Sequence, residues 1–276
     1  MYKVHFIAIG GAAMHNLAIA LHKKTTYEVT GSDDEIFEPS YSRLKENGLL
    51  PAEFGWFPEK INHHLDAVIL GMHARADNPE LIRAKELGIK IYSFPEYLFE
   101  QTRSKTRIVV GGSHGKTTTT AMILYVMKKV NFKADYMVGA QIEGFENMVS
   151  LSDDARVAVF EGDEYLTSSL DPRPKFHVYK AHIAILTGIA WDHINVFPTF
   201  DNYVEQFSLF VESMELQGRL IYFEGDKNLK NIAQHTSRID IVAFPYKTPK
   251  YEIRDGKTFV KTRKGMVELK IFGEHN

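Results

Sequence analysis

The chain has 276 residues, 44% of them hydrophobic and 25% charged, which is typical of a globular protein with one large or two ordinary domains. Its 33 basic and 35 acidic residues give a net charge of −2, which argues against nucleic acid as the main partner. Cysteine is absent, and we find no signal peptide and no run of about 18 apolar residues, so we expect a cytoplasmic protein without disulfides or a membrane partner.

The first hundred residues alternate strand and helix patterns. The apolar runs predict strands at Val4–Ile9, Tyr27–Thr30, Ala67–Leu70 and Ile89–Tyr92, and helices at Ala12–His22, Tyr41–Asn47 and Pro79–Leu87. This β-α-β-α order predicts a Rossmann-like parallel sheet with helices on its faces.

A glycine turn follows the first predicted strand. Gly10 and Gly11 lie in a weak form of the dinucleotide fingerprint, because Ala8 and Ala13 occupy two of its three glycine positions. Asp33, after the second strand, could accept hydrogen bonds from a ribose. The pattern predicts a bound nucleotide diphosphate. The alternatives are a tight turn that only packs helix against strand, the nicotinamide site of an oxidoreductase, and a nucleotide-sensing module.

A polar segment, Glu100–Thr106, predicts a linker between a first domain (residues 1–104) and a second (105–276). The second domain restarts the α/β pattern with a strand at Arg107–Val110 and a helix at Thr117–Lys129. Its later part is rich in strands, predicted at Arg219–Tyr222, Ile239–Ala243, Lys257–Thr262 and Val267–Ile271, with hairpin turns at Asp255-Gly256 and Lys264-Gly265.

The segment between that strand and helix has the pattern of a phosphate-binding loop. It comprises Gly111, Gly112, Ser113, His114, Gly115, Lys116, Thr117 and Thr118. Backbone N–H groups at a helix start bind phosphate, Lys116 would reach the terminal phosphates of ATP, and the Thr117 hydroxyl would bind Mg²⁺. Val110 stands where the usual pattern has its first glycine. The alternative is a glycine-rich turn that binds nothing.

Acidic and histidine clusters follow two further predicted strands. Glu161-Gly162-Asp163-Glu164 comes after Val157–Phe160, and Asp192-His193 comes soon after Ala184–Leu186. The carboxyl ends of parallel strands meet at one edge of a sheet, so these groups are predicted to hold a metal ion beside the phosphate loop. A solvated acidic turn is the alternative.

Together these motifs resemble those of the Mur ligase family, the ATP-dependent ligases of peptidoglycan assembly. The shifted first glycine of the loop, the acidic segment and the Asp192-His193 pair are similar to the family's motifs. Gly273-Glu274-His275-Asn276 resembles the start of its His-Asn motif, which implies that His275 and Asn276 contact ATP. The resemblance also implies a third, C-terminal domain that this chain lacks, so we expect a fragment that is inactive alone.

Within the family, the glycine turn resembles that of the branch whose substrate is UDP-N-acetylmuramate. This implies sugar-nucleotide contacts from Gly10, Gly11, Ala12, Ala13, Ser32, Asp33 and His73. The absence of lysine from Asp201–Leu216 agrees with that branch, because other branches carry a carbamylated lysine there. Tyr165 and the segment Ser169–Phe176 resemble members that add L-alanyl-γ-D-glutamyl-meso-diaminopimelate; members that add L-alanine are the alternative.

The resemblance implies that ATP phosphorylates the lactyl carboxylate of the sugar nucleotide and that the amine of the peptide attacks the acyl phosphate. Lys116, Glu161 and His193 would be the catalytic residues, with Mg²⁺ held by Thr117, Glu161 and His193. Because Mg²⁺ prefers oxygen ligands, His193 would serve a second, looser site that also accepts Mn²⁺. An unrelated P-loop NTPase is a further alternative.

Overall fold

The computed structural model describes residues 1–72, 74–168 and 170–270. Its strands are β1 Tyr2–Ile7, β2 Tyr27–Ser32, β3 Ala67–Leu70, β4 Ile91–Ser93, β5 Thr106–Gly111, β6 Asp135–Met137, β7 Val149–Ser150, β8 Val157–Glu161, β9 Ile183–Leu186, β10 Arg219–Phe223, β11 Val242–Tyr246, β12 Tyr251–Arg254, β13 Lys257–Thr262 and β14 Gly265–Leu269. Its α-helices are α1 Ala12–His22, α2 Ser40–Glu46, α3 Pro79–Glu86, α4 Phe94–Gln101, α5 Lys116–Lys129, α6 Lys175–Val178, α7 Phe200–Glu212 and α8 Lys227–His235.

The first sheet is parallel, with strand order β2-β1-β3-β4. All four residues of β3 are buried, as expected for a strand covered on both faces. The turn from β1 to α1 contains Gly10 and Gly11, and Asp33 follows β2 directly. The glycine turn and Asp33 therefore lie at the carboxyl ends of neighbouring strands. The predicted Rossmann-like α/β sheet is confirmed.

The second sheet has the order β11-β10-β9-β5-β8-β6-β7, and its paired strands are parallel except for the antiparallel pair β6–β7. Strand β5 lies between β8 and β9, with Val110 opposite Glu161 and Gly111 opposite Leu186. The loop after β5, the acids after β8 and the segment after β9 therefore share one edge of the sheet. In α/β folds, ligands bind at this edge.

The strand-rich later part is also confirmed. Strands β12, β13 and β14 form an antiparallel sheet, and the turn between β12 and β13 is Asp255-Gly256, both with positive φ as a two-residue hairpin requires. The strand predicted at Ile239–Ala243 is displaced: β11 begins only at Val242. The prediction for Val267–Ile271 ends outside the described residues.

The predicted linker is partly wrong. Glu100 and Gln101 belong to α4, and Thr106 begins β5. Helix α4 starts with a capping box, in which Ser93 and Glu96 each bond the other's backbone N–H. The domain boundary at residue 104 stays a prediction.

One apolar core joins the helices of both sheets. Its buried members include Leu17 and Leu21 of α1 and Phe207 and Phe210 of α7. Among the helices of the described residues, none has the length and apolarity that crossing a bilayer needs.

Candidate functional site

The phosphate loop joins β5 to α5 through two glycines with positive φ, Gly112 at 131° and Gly115 at 77°. Gly115 is the N-cap of α5 and has no side chain to cap the helix. Gly112 also has no room for a side chain, because a Cβ there would lie 2.2 Å from Thr187 Oγ1. The segment after β9 holds the loop, since Ser113 N–H donates to the Gly188 carbonyl over 2.9 Å. The loop is thus shaped as anion binding at a helix N-terminus requires.

Val110, which replaces the usual first glycine, is a fully buried strand residue paired with Glu161. The positive-φ turn begins two residues later, at Gly112. The departure from the usual spacing therefore lies in the strand and leaves the turn intact.

Lys116, the first residue of α5, points back into the loop. Its Nζ donates to the Gly112 carbonyl over 2.6 Å and to Glu164 Oε1 over 3.1 Å. It also lies 2.9 Å from Glu164 Oε2, an ionic contact without hydrogen-bond alignment. Glu164 is fully buried, so Lys116 neutralises a carboxylate that has no access to water.

Thr117 and Glu161 form the second contact across the sheet edge. Thr117 Oγ1 donates to Glu161 Oε1 over 2.8 Å, and the Gly139 N–H donates to Glu161 Oε2 over 2.8 Å. Gly139 must be glycine for this approach, since a Cβ there would lie 2.8 Å from Glu161 Oε1. Two donors thus fix the carboxylate of Glu161, the last residue of β8.

His193 lies with the other two acids of the acidic segment. One ligand atom each from Asp163, Glu164 and His193 lies within 4.8 Å of the others, and His193 Nε2 is 3.7 Å from Glu164 Oε1. The Tyr165 ring packs edge-on against His193, with ring centroids 5.2 Å apart. His193 has a φ of 53°, which non-glycine residues rarely adopt and which is commonest at functional turns.

Asp163 is held ionised by its neighbours. Burial alone would raise its pKa, but the attraction and hydrogen bond of Lys175 and the Tyr165 N–H outweigh it, so the pKa lies below the ordinary value. A carboxylate that keeps its charge near neutral pH can serve a cation.

Two further residues complete the buried network. The Tyr203 hydroxyl, from α7, donates to Glu164 Oε1 over 2.9 Å and lies 2.9 Å from Ser113 Oγ. Burial, with Glu164 nearby, raises the pKa of Tyr203, so it stays a neutral donor. Ser113 Oγ also donates to the Ala190 carbonyl over 2.7 Å, so it supports the loop from within.

The donor set fits a divalent cation. Hydroxyl and carboxylate oxygens from Thr117, Glu161, Asp163 and Glu164 are the ligands that Mg²⁺ prefers, and His193 adds a nitrogen that Mn²⁺ accepts. The structure brings the predicted pair Thr117 and Glu161 together, and it groups His193 with Glu164. The assignment of metal ligands remains a prediction.

Sequence reasoning did not single out Glu164, Tyr203 or Gly139. Glu164 stood in the quoted acidic motif, but only the fold shows that it bonds Lys116. Gly139 and Tyr203 come from distant segments, and no local pattern marks them.

The glycine turn is shaped around Asp33. The Gly10 N–H donates to Asp33 Oδ2 over 2.7 Å, and a Cβ at Gly10 would lie 2.9 Å from that oxygen. Burial, together with Asp34, raises the pKa of Asp33 to about 6 despite the Gly10 bond. Ala12 and Ala13 are exposed in the first turn of α1 and Ser32 is buried. The first turn of that helix therefore faces solvent beside the Asp33 carboxylate, and the sugar-nucleotide contacts of this turn remain predictions.

Of the other predicted contacts, His114 is exposed and Thr118 half-buried in the phosphate loop. His73, His275 and Asn276 lie outside the described residues, so their contacts remain predictions.

The fold and this site define a class: an α/β protein in which a glycine-rich strand-to-helix loop of the phosphate-loop type lies beside a cluster of two acids and a histidine. Comparison of the sequence with models of known families identifies the family within this class. The Mur ligase family, catalytic domain, matches residues 3–106, and the Mur ligase middle domain matches residues 110–276. The chain belongs to the Mur ligase family.

Relatives within the family are named ligases. The chain is 28% identical over 287 residues to the UDP-N-acetylmuramate--L-alanine ligase of Desulforamulus reducens, covering 99% of this chain and 60% of that protein. It is 31% identical over 229 residues to the UDP-N-acetylmuramate--L-alanyl-gamma-D-glutamyl-meso-2,6-diaminoheptandioate ligase of Escherichia coli, covering 83% of this chain and 50% of that protein. The chain thus spans about half to three-fifths of these relatives.

A solved structure shares the fold. The UDP-N-acetylmuramate:L-alanyl-gamma-D-glutamyl-meso-diaminopimelate ligase from Neisseria meningitides matches with a TM-score of 0.84 and 24% identity, over all of this chain and 89% of that one.

Proposed function

We propose that this chain binds Mg²⁺–ATP and UDP-N-acetylmuramate for an ATP-dependent ligase that forms an amide bond on the lactyl carboxylate. The observation that carries the proposal is the convergence of Lys116, Thr117 and Glu161 at one sheet edge, in a chain of the Mur ligase family. ATP would phosphorylate the carboxylate, and the amine of the acceptor would attack the acyl phosphate.

The residues of the site have separate tasks in this proposal. The backbone of the loop and Lys116 bind the phosphates and offset the charge that develops during transfer. Thr117, Glu161, Asp163, Glu164 and His193 are the groups that would hold one or two divalent cations. The metal, when bound, supplies further neutralisation of the phosphate oxygens.

We propose L-alanyl-γ-D-glutamyl-meso-diaminopimelate as the acceptor. Tyr165, which resembles the residue of tripeptide-adding members at this position, packs against His193 and accepts a hydrogen bond from Asn195 over 3.2 Å. A large side chain therefore lies against one of the proposed metal ligands. L-alanine is the competing acceptor, because relatives of both kinds align with this chain.

Calorimetry on the 276-residue chain tests the binding half of the proposal. We expect Mg²⁺–AMP-PNP and UDP-N-acetylmuramate each to bind, and NADH not to bind. NADH binding without sugar-nucleotide binding would instead assign the glycine turn to a nicotinamide cofactor.

Release of ADP tests the catalytic half, measured on the protein as its gene encodes it. We expect ADP only when sugar nucleotide and acceptor are both present, with the tripeptide preferred to L-alanine. ADP release that does not require the sugar nucleotide would identify an unrelated NTPase, and a preference for L-alanine would reverse the assignment of acceptor.

A further inference from the structure

The carboxylate of Glu161 accepts a hydrogen bond from a backbone group in the connection between β6 and β7. The Gly139 N–H donates to Glu161 Oε2 over 2.8 Å, while Thr117 donates to the other oxygen. Gly139 is the second residue of the connection between β6 and β7, in which most residues from Gly139 to Glu146 are exposed. Phe145 packs on Tyr136 and Lys128 donates to the Gly144 carbonyl, but neither contact involves the residues next to Gly139.

Met148 fixes the far end through both of its backbone groups. Its carbonyl accepts from the Val138 N–H over 3.0 Å, and Val138 immediately precedes Gly139. Its N–H donates over 3.1 Å to the side-chain oxygen of Asn16, which comes from α1 beside the other sheet. The hydrogen bond to Val138 therefore links Met148 to the residue that precedes Gly139.

Asn16 is held in one orientation. It is fully buried, and its Nδ2 donates to the Ala12 carbonyl over 2.8 Å, which leaves Oδ1 facing Met148. A buried N–H that loses its acceptor costs more than an exposed one, because water cannot replace the bond. An apolar side chain here would thus leave Met148 N–H unpaired or displace the hairpin.

We propose that Asn16 is a positioning residue for the metal–nucleotide site. By accepting the Met148 N–H, it keeps the Gly139 N–H on Glu161 and so orients the carboxylate toward the cation. The inference rests on the proposed function, in which Glu161 holds Mg²⁺.

Two ion pairs between the segment that follows α1 and this region provide a control. Lys24 pairs with Asp153 over 2.6 Å, and Lys23 pairs with Glu146, but both acids are about four-fifths exposed. Such surface pairs contribute little, and neither involves Val138 or Gly139. A variant of Lys24 therefore loosens the same interface without touching the path to Glu161.

The test is the Mg²⁺ dependence of AMP-PNP binding to the 276-residue chain, measured by calorimetry. Asn16→Leu, of similar volume but without an acceptor, should raise the half-saturating Mg²⁺ concentration roughly tenfold, the effect of about one hydrogen bond. The affinity for metal-free AMP-PNP should stay the same. Lys24→Ala should remain within about twofold of the unaltered chain.

An unchanged Mg²⁺ requirement in folded Asn16→Leu overturns the inference and leaves the proposed function standing. A tenfold loss in Lys24→Ala also overturns it, because loosening of the interface would then explain the effect. If Asn16→Leu does not fold, Asn16→Ser, whose side chain is one heavy atom shorter, carries the same expectation. Absence of Mg²⁺–AMP-PNP binding by the unaltered chain would overturn the proposed function and this inference together.

Discussion

Lys116 neutralises the buried carboxylate of Glu164. Its ammonium lies against Glu164, which is fully buried and also accepts from Tyr203. Removing one partner of a buried pair leaves the other charge uncompensated, which costs more than the pair itself contributes. The effect of a substitution at Lys116 on binding is therefore mixed with its effect on stability.

A double variant separates the two effects. Lys116→Met should lower the free energy of unfolding by about 3 kcal/mol, and Lys116→Met with Glu164→Gln should recover most of that loss. Both variants should fail to bind Mg²⁺–AMP-PNP. Urea unfolding and calorimetry make the comparison, with Lys133→Met, which breaks the exposed pair with Asp154, as a control expected to change stability by less than about 1 kcal/mol. Normal nucleotide binding by the double variant would show that Lys116 does not bind the phosphates.

Asp33 makes stability depend on pH. Burial, with Asp34, raises its pKa to about 6, so the folded chain keeps this proton to a higher pH than the unfolded chain does. The contribution of Asp33 to the free energy of unfolding therefore falls as the pH rises from about 4 to 6.

Asp33→Asn should remove this slope, because asparagine can still accept the Gly10 N–H but does not ionise. Urea unfolding from pH 4 to 7 should show the variant gaining roughly 2 kcal/mol relative to the unaltered chain across that range. A constant difference between the two proteins would show that Asp33 does not titrate there.

At the scale of elements, the phosphate loop depends on backbone geometry more than on any one side chain. Gly112 combines a φ of 131° with a Cβ direction blocked by Thr187 and by the Gly188 carbonyl. Gly48 also has a positive φ, but nothing lies within 4 Å of a Cβ there. A side chain at Gly48 would therefore meet backbone strain alone, whereas a side chain at Gly112 would meet both strain and steric overlap.

Gly112→Ala should destabilise the chain by more than about 3 kcal/mol or distort the loop so that Mg²⁺–AMP-PNP no longer binds, since both strain and overlap act there. Gly48→Ala should cost only about 1 kcal/mol and leave binding unchanged. Thermal unfolding and calorimetry on both variants check this. Equal effects would mean that Thr187 gives way and that the loop tolerates a side chain.

Elements with a clear pattern could be predicted from the sequence, and short ones could not. Helix α1 and strand β3 have the predicted bounds, because apolar runs and flanking glycines mark them. Strands β6 and β7 have three and two residues, too few to show a period. Helix α4 was missed, although Ser93 and Glu96 form a capping box that is readable in the sequence.

The same limit applies to the site. Lys116, Thr117 and Glu161 belong to local motifs, so their proximity could be inferred from the rule that parallel strands end at one edge. Gly139 and Tyr203 reach the site through tertiary packing alone, so no spacing in the sequence indicates them. The structure thus adds the residues that hold the site in place to motifs that the sequence itself contains.

At the scale of the whole molecule, burial is uneven. Strands β5, β8 and β9 lie inside the second sheet, whereas no described residue from 241 to 270 is buried, including all of β11 to β14. Local opening costs least where few apolar groups are buried, so the last strands should open without unfolding the rest.

Hydrogen exchange should therefore follow that order. We expect amides of β12, β13 and β14 to exchange at least a hundredfold faster than those of β5 and β8. The opening of these three strands exposes little apolar surface that was buried, so it costs little free energy. Mass spectrometry of peptides spanning 251–269 and 106–111 measures the two rates in one sample. Helix α8, which buries Leu229 and Ile232, should exchange at an intermediate rate and serves as the internal reference. Equal protection of the two peptides would mean that the last sheet unfolds only together with the core.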